Sequence, residues 1–304
     1  MGLMDLIFRK KRESFQKLTE SRYGDYEFPK GVLRLPNIRY DDKVAKRKLD
    51  VYRRTDIQSD LPVIVNVHGG GLVMGNKEFN TYFCAQLAQL GFVVFSIEYR
   101  LVPDVQIYGQ LDDVSRAMDF VYEDAPAFGG DLNNVYMVGD SAGALLTVYA
   151  LALQKNKRFA TTANVKPSKL KVNAAGLISG MYYTTRFDEI GIFMSRALWG
   201  KQWRRRGIAR FTDPGHEGIV GNLPPCYIVT SGNDNLLSYT QDFVDALWRV
   251  GNRFGMSNFD PEAKDDRLTH AFPVFEPDYA ESREAMKCMV DFFNKHRNEG
   301  GKIE

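Results

Sequence analysis

Gly139-Asp140-Ser141-Ala142-Gly143 sets one serine between glycines two positions away on either side, directly after a strand-like run at Asn134 to Gly139 and directly before a helix-like run at Ala142 to Leu153. A serine on a tight strand-to-helix turn is crowded, and small neighbours let the backbone bend while the hydroxyl stays exposed. The helix that starts there also aims free N–H groups and the positive end of its dipole at the same point, which favours a developing negative charge. A nucleophilic serine fits that setting. An ordinary glycine-rich turn is the competing reading, and the strand and helix on either side favour the nucleophile.

His68-Gly69-Gly70-Gly71 lies upstream, also at the end of an apolar run. Acyl transfer builds negative charge on a former carbonyl oxygen, and a glycine turn brings backbone N–H groups up to that oxygen without side-chain interference. The expected donors are the N–H groups of Gly70, Gly71 and Ala142, with Gly69 as a substitute. A neutral hydroxyl is a poor nucleophile and needs an imidazole to take its proton, with a carboxylate to hold that imidazole in one tautomer. Of the four histidines, His68 belongs to the glycine turn, His296 lies near the end of a charged terminal helix and His216 sits in a long insert. His270, in Leu268-Thr-His-Ala-Phe272 before the final helix, is the expected base, with His216 its competitor. Asp234, just past the apolar run Cys226 to Ser231, is the expected carboxylate. A lone Asp in such a turn is more often a helix cap, so it counts only jointly with Ser141 and His270.

These residues need a scaffold, and the periodicity supplies one. Val32 to Tyr40 and Val44 to Tyr52 roughly alternate apolar and polar residues, as an antiparallel pair at a sheet edge would. Pro62 to His68 is nearly continuously apolar, the pattern of a strand covered on both faces and hence of a parallel sheet. Strands follow at Phe92 to Tyr99, Asn134 to Gly139, Leu170 to Ile178 and Cys226 to Ser231. Helices are expected at Leu111 to Tyr122, Ala142 to Leu153, Tyr239 to Val250 and Tyr279 to His296. Such alternation predicts an α/β chain with a mostly parallel, doubly wound sheet and helices on both faces. Met181 to Asn222 carries no strand signal, and together with a weakly amphipathic helix over about residues 1–30 it is expected to form a helical cap on a single domain of residues 1–304.

The motifs closely resemble those of the hormone-sensitive-lipase-like branch of the α/β-hydrolases. That branch carries H-G-G-G, an E-Y-R-L-A-P-E-like segment and G-D-S-A-G in this order. Here the middle segment reads Glu98-Tyr-Arg-Leu-Val-Pro-Asp104 and is followed by Leu111-Asp-Asp113. The Ser, Asp, His order of Ser141, Asp234 and His270 is also the order α/β-hydrolases show. The resemblance implies a cofactor-free carboxylesterase of short to medium acyl chains, with a lid over its pockets. Two departures stand out: the family's D-P-L-x-D reads Asp234-Asn-Leu-Leu-Ser238, losing the second carboxylate, and Val105 to Gln110 lacks the usual Pro and Ala. An amidase or peptidase using the same triad, and a ligand-binding homologue without turnover, remain the alternatives; related receptors typically lack the histidine.

Bulk properties agree with a packed enzyme. The 304 residues are 44% hydrophobic and 26% charged, with a net charge of +2. That balance argues against nucleic-acid or membrane-surface partners in general, so any basic patch must be local. Cys84, Cys226 and Cys288 lack metal-site spacing and their odd number fits reduced thiols. The apolar run at the start is too short for a signal-peptide core and is followed by Arg9 to Arg12, so the expected compartment is cytoplasmic. The expected partner is a small-molecule ester, with no metal and with homo-oligomerisation left open. Lys201, Arg204 to Arg206 and Arg210 read either as a clamp for an acidic group or, more plainly, as a solvated face; Tyr182, Tyr183, Phe187, Phe193 and Trp199 read as pocket lining or as packing.

Overall fold

The computed structural model describes residues 3–23, 26–260 and 266–298; residues 1–2 and 24–25 of the expected N-terminal helical stretch lie outside the described residues. Eight strands make one sheet: β1 (Val32–Arg39), β2 (Lys48–Arg54), β3 (Leu61–Val67), β4 (Val93–Ile97), β5 (Gly130–Asp140), β6 (Ala174–Ile178), β7 (Cys226–Ser231) and β8 (Phe254–Phe259). Their order is β1-β2-β4-β3-β5-β6-β7-β8. β1 and β2 join antiparallel, as does β2 with β4, and every later pairing is parallel.

The apolar run of β3 is buried along its whole length. Val63, Val65 and Val67 enter one core layer while Ile64 enters the other, the two-residue period of a strand covered on both sides. Each such side chain contributes about 1.5–3 kcal/mol by leaving water. The helices that cover the sheet are α1 (Leu3–Tyr23), α2 (Thr81–Gln89), α3 (Ile107–Asp124), α4 (Ala142–Lys155), α5 (Lys157–Ala163), α6 (Glu189–Trp199), α7 (Glu217–Val220), α8 (Leu237–Arg249), α9 (Phe272–Phe275) and α10 (Ala280–Lys295). Phe83 and Leu87 of α2 share one layer with Met289 and Phe293 of α10. Val114 of α3, Leu145 of α4 and Phe243 of α8 fill the opposite layer.

The chain leaves β3 through α2 toward β4 on one side and leaves β5 through α4 toward β6 on the other, so β3 and β5 are neighbours at the point where strand order reverses. In open α/β sheets the crevice beyond the carboxyl ends at that reversal is where ligands bind. The two glycine-rich motifs end these same two strands.

Some elements differ from expectation. β2 starts at Lys48, not Val44, because Arg47 is buried in the preceding turn by Asp41, Asp112 and Asp113. β8 was not expected; it is an edge strand of half-buried residues without clean alternation. β6 is confined to Ala174–Ile178, and residues 181–222 hold α6, α7 and two short 3-10 turns. Among the described residues no helix is long and apolar enough to cross a membrane.

Candidate active site

Ser141 joins β5 to α4 with φ 50° and ψ −117°, a left-handed backbone in a residue other than glycine. Such strain costs on the order of 1–3 kcal/mol and persists only where surroundings over-determine it. Those surroundings are visible: the Ser141 N–H donates to the Ile178 carbonyl at 2.8 Å, and the Met181 N–H donates to the Ser141 carbonyl at 3.0 Å. A β-carbon on Gly143 would stand 2.0 Å from the Val67 carbonyl oxygen, and one on Gly139 would stand 2.5 Å from the Gly143 backbone. Gly143 is therefore demanded by the approach of this turn to the end of β3, and Gly139 by the tightness of the turn itself.

The structure brings the three widely spaced candidates together. His270 Nε2 lies 2.9 Å from Ser141 Oγ, and His270 Nδ1 lies 2.7 Å from Asp234 Oδ1. Asp234 is buried at the end of β7, where its Oδ1 also accepts the Leu236 N–H at 2.8 Å and its Oδ2 accepts the Thr230 hydroxyl at 3.2 Å. Burial raises its pKa, but hydrogen bonds from His270 and Ser179 and the charge of His270 outweigh this and hold it below the usual carboxylate range. It is thus ionised at neutral pH. His216 instead caps α7, its Nδ1 accepting the Gly218 N–H at 3.0 Å, and His296 Nδ1 sits 2.9 Å from the Phe292 carbonyl. Neither competes for Ser141.

Ser179 is a site residue that sequence reasoning missed. It follows β6 with φ 50°, is fully buried, stands near enough to Asp234 to favour its charged form, and its Oγ accepts the Ala271 N–H at 3.0 Å. One hydroxyl therefore holds the peptide next to His270 while standing beside the carboxylate. The available signal was only its place, directly after a buried strand.

Around the glycine loop, one expectation needs correction. The Gly69 N–H donates to Asp140 Oδ1 at 3.0 Å, so it is not a free oxyanion donor. Gly70 and Gly71 have φ of 115° and 60°, and a β-carbon on Gly70 would stand 2.1 Å from the Met74 carbonyl oxygen. Among the described residues no acceptor engages the N–H of Gly70, Gly71 or Ala142. Asp140 also accepts from Asn80 Nδ2 at 2.8 Å, and burial pushes its carboxyl up to about 6. His68 is stacked on Tyr99 at 4.2 Å, with its Nδ1 2.7 Å from the Gly69 carbonyl. Burial lowers its pKa to about 4, so it is neutral and packs the loop.

The Glu98-to-Asp104 segment has a scaffolding role. Arg100 forks onto Asp113 of α3, with Nε to Oδ2 at 2.8 Å and Nη2 to Oδ1 at 2.8 Å, and the Tyr99 hydroxyl donates to the His68 carbonyl at 2.9 Å. Of the expected aromatic lining, Tyr182 stacks on Phe243 at 3.9 Å, Tyr183 packs edge-on to Tyr239, and Trp199 is buried against Tyr149. Phe187 and Phe193 are exposed.

Comparison with known proteins fits this geometry. The isoprenylcysteine alpha-carbonyl methylesterase of Arabidopsis thaliana is 29% identical over 237 residues, covering 74% of this chain and 55% of that protein. The probable carboxylic ester hydrolase LipM of Mycobacterium tuberculosis is 27% identical over 227 residues, covering 71% and 52%. The chain spans about half the length of the curated relatives it matches. Esterase B from Lactobacillus rhamnosis, solved with a tributyrin phosphonate inhibitor, superposes with a TM-score of 0.88 at 22% identity over 96% of both chains. That likeness, with the mostly parallel eight-stranded sheet, gives the α/β-hydrolase fold. The BD-FAE family model matches residues 49–244, well over half of the sequence, and the chain belongs to that family.

Proposed function

We propose that this chain is a serine carboxylesterase that cleaves short to medium acyl esters of small molecules through an acyl-enzyme on Ser141. Ser141 Oγ attacks the ester carbonyl carbon as its proton passes to His270 Nε2. The carbonyl oxygen becomes an oxyanion held by the N–H groups of Gly70, Gly71 and Ala142, where one donor typically contributes about 2.7–4 kcal/mol. Collapse of the adduct breaks the bond to the alcohol oxygen, which leaves with the proton from His270. Water then adds to the acyl carbon, giving its proton to His270; the second collapse releases the acid and returns a proton to Ser141. Asp234 stays charged and holds the imidazole in one tautomer.

The observation that carries this reading is the chain of contacts from Ser141 Oγ through His270, 2.9 Å on one side and 2.7 Å on the other to Asp234. The ester-cleaving names of the relatives point the same way. α1 and residues 181–222 form the cap in this proposal. In its support, Arg12 of α1 donates to the Val73 and Val102 carbonyls beside the glycine loop, and the Trp199 carbonyl of the insert accepts the Tyr108 hydroxyl at 3.2 Å. The proposed compartment is the cytoplasm, on the strength of three unbridged thiols.

Labelling the purified chain with a fluorophosphonate and mapping the adduct tests the nucleophile, followed by rates on p-nitrophenyl esters of increasing length. The expected adduct is on Ser141, with rates falling beyond medium chains. A folded protein labelled elsewhere, or hydrolysing only p-nitroanilides, would overturn the esterase reading.

A further inference from the structure

The chain-wide charge of +2 conceals a local imbalance. From residue 190 to residue 212 there are six cations, at Arg196, Lys201, Arg204, Arg205, Arg206 and Arg210, and no carboxylate. All six are exposed, and none forms an ion pair with a described residue; the insert's paired arginine, Arg186, holds Asp242 at 2.6 Å. The same insert carries large apolar side chains facing water: Phe187 is 98% exposed, Phe193 65% and Ile192 54%. Ile192, Phe193 and Arg196 share the outer face of α6, whose inner face, Gly191, Ser195, Leu198 and Trp199, is buried.

The position of this face matters. Residue 181 is hydrogen-bonded to the Ser141 carbonyl and the far end of α6 is fastened to Tyr108 of α3, so the segment that carries α6 starts at the carboxyl end of the sheet. Exposed aromatic and aliphatic groups gain by leaving water, and unpaired cations gain by meeting phosphates. An interface that offers both at once is a lipid surface with anionic headgroups. A nucleic-acid backbone would satisfy the cations and leave Ile192 in water. A second copy of the chain meeting this face symmetrically would set the unpaired cations of one against those of the other.

We infer that the outer face of α6 and the basic turns after it dock on an anionic lipid surface, with Phe187, Ile192 and Phe193 entering the interface and the cations of residues 196–210 meeting lipid phosphates. This goes beyond the esterase reading and does not depend on it. The chain with Ser141→Ala binds as the unaltered chain does, so failure of catalysis and failure of docking are separable.

Co-sedimentation of the full chain with vesicles of phosphatidylcholine alone, or with about a third of phosphatidylserine added, tests the docking. The expected result is binding at least tenfold tighter to the anionic vesicles, weakened when salt screens the headgroups. Arg204→Ser with Arg205→Ser lowers that affinity on the order of tenfold to thirtyfold, and Phe187→Ser with Phe193→Ser lowers it by at least tenfold, while thermal unfolding is unchanged. Should either double variant unfold, the salt series on the unaltered chain still decides. Equal binding to both vesicle types, no binding, tighter binding to a DNA or RNA duplex, or a dimer by light scattering that the phenylalanine variant dissolves would each overturn the inference.

Discussion

Arg47 and Arg100 at one end of the sheet, and the six cations of residues 196–210 in the insert, put the same chemistry to opposite uses. Arg47, with only 6% of its side chain exposed, is held by Asp41 at 2.7 Å, Asp112 at 2.6 Å and Asp113 at 2.8 Å. Arg100 shares Asp113 with it, and so β4, α3 and the turn before β2 are bound into one frame under the glycine loop. Residues 190–212 of the insert contain no counterpart of these carboxylates, and its six cations have no ion-pair partner among the described residues. Removing one member of a buried pair leaves an uncompensated charge, whereas an exposed cation gives up its water contacts at little cost. The frame thus resembles the linked Ser141, His270 and Asp234, where every polar group has its partner already, and residues 196–210 are the part of the insert whose charges look outward.

Substitutions on the two sides should separate them by magnitude. Ser141→Ala should lower turnover on a p-nitrophenyl ester by a factor on the order of 10⁴ or more with circular dichroism unchanged, since a triad acts as a unit. Asp113→Ala should destabilise the chain by roughly 3 kcal/mol in denaturant unfolding by stripping the shared partner from Arg47 and Arg100; a loss below about 0.5 kcal/mol would put the frame on a par with the insert.

Asp140→Asn keeps an oxygen where the Gly69 and Asn80 donors point. In the folded chain the Asp140 carboxyl is raised from 3.8 to about 6, so the native state binds its proton more tightly than the unfolded state does. Its contribution is therefore fully present below the unfolded value and is lost as pH rises through about 6, where a buried charge must form. Relative to the unaltered chain the variant should gain on the order of 2 kcal/mol between about pH 4 and pH 7, and a flat difference would remove Asp140 from the account.

Ser179→Ala should reduce kcat about tenfold with KM nearly constant and move the acid limb of the kcat profile upward, because Asp234 loses a nearby hydroxyl that favours its charged form and the Ala271 peptide loses its acceptor. Partial rescue by Ser179→Thr would mark positioning rather than packing. Smallest of all, Arg204→Ser with Arg205→Ser should change stability by less than about 0.5 kcal/mol.

Legibility in the sequence followed the same division. β3, β4 and the second half of β5, residues 135–139, are readable because burial on both faces makes each run almost purely apolar. Ser141, Asp234 and His270 could be singled out because each follows a strand or its equivalent turn, and chain order narrowed the choice among four histidines. β8 was hidden because an edge strand of half-buried residues needs no alternation. The start of β2 was misplaced because Val44 continues an alternation that long-range pairs of Arg47 override. Gly69 could not be withdrawn from the donor set by local reasoning, since its acceptor lies 71 residues away in the chain. Ser179 left no trace beyond its neighbours, as a hydroxyl that acts through two other residues carries no spacing of its own.

The clasp between Asp140 and Gly69 has a consequence for anyone splicing parts between relatives. The residue that precedes Ser141 grips the peptide that precedes Gly70, and Asn80 grips the same oxygen, so residues 68–80 and 139–143 behave as one casting. A graft of either piece alone would arrive without its mate and set the serine and the amide protons in different frames. Chimeras should keep Ser141 and the glycine loop in register when the two pieces travel together, leaving other changes of shape to accumulate elsewhere in the chain.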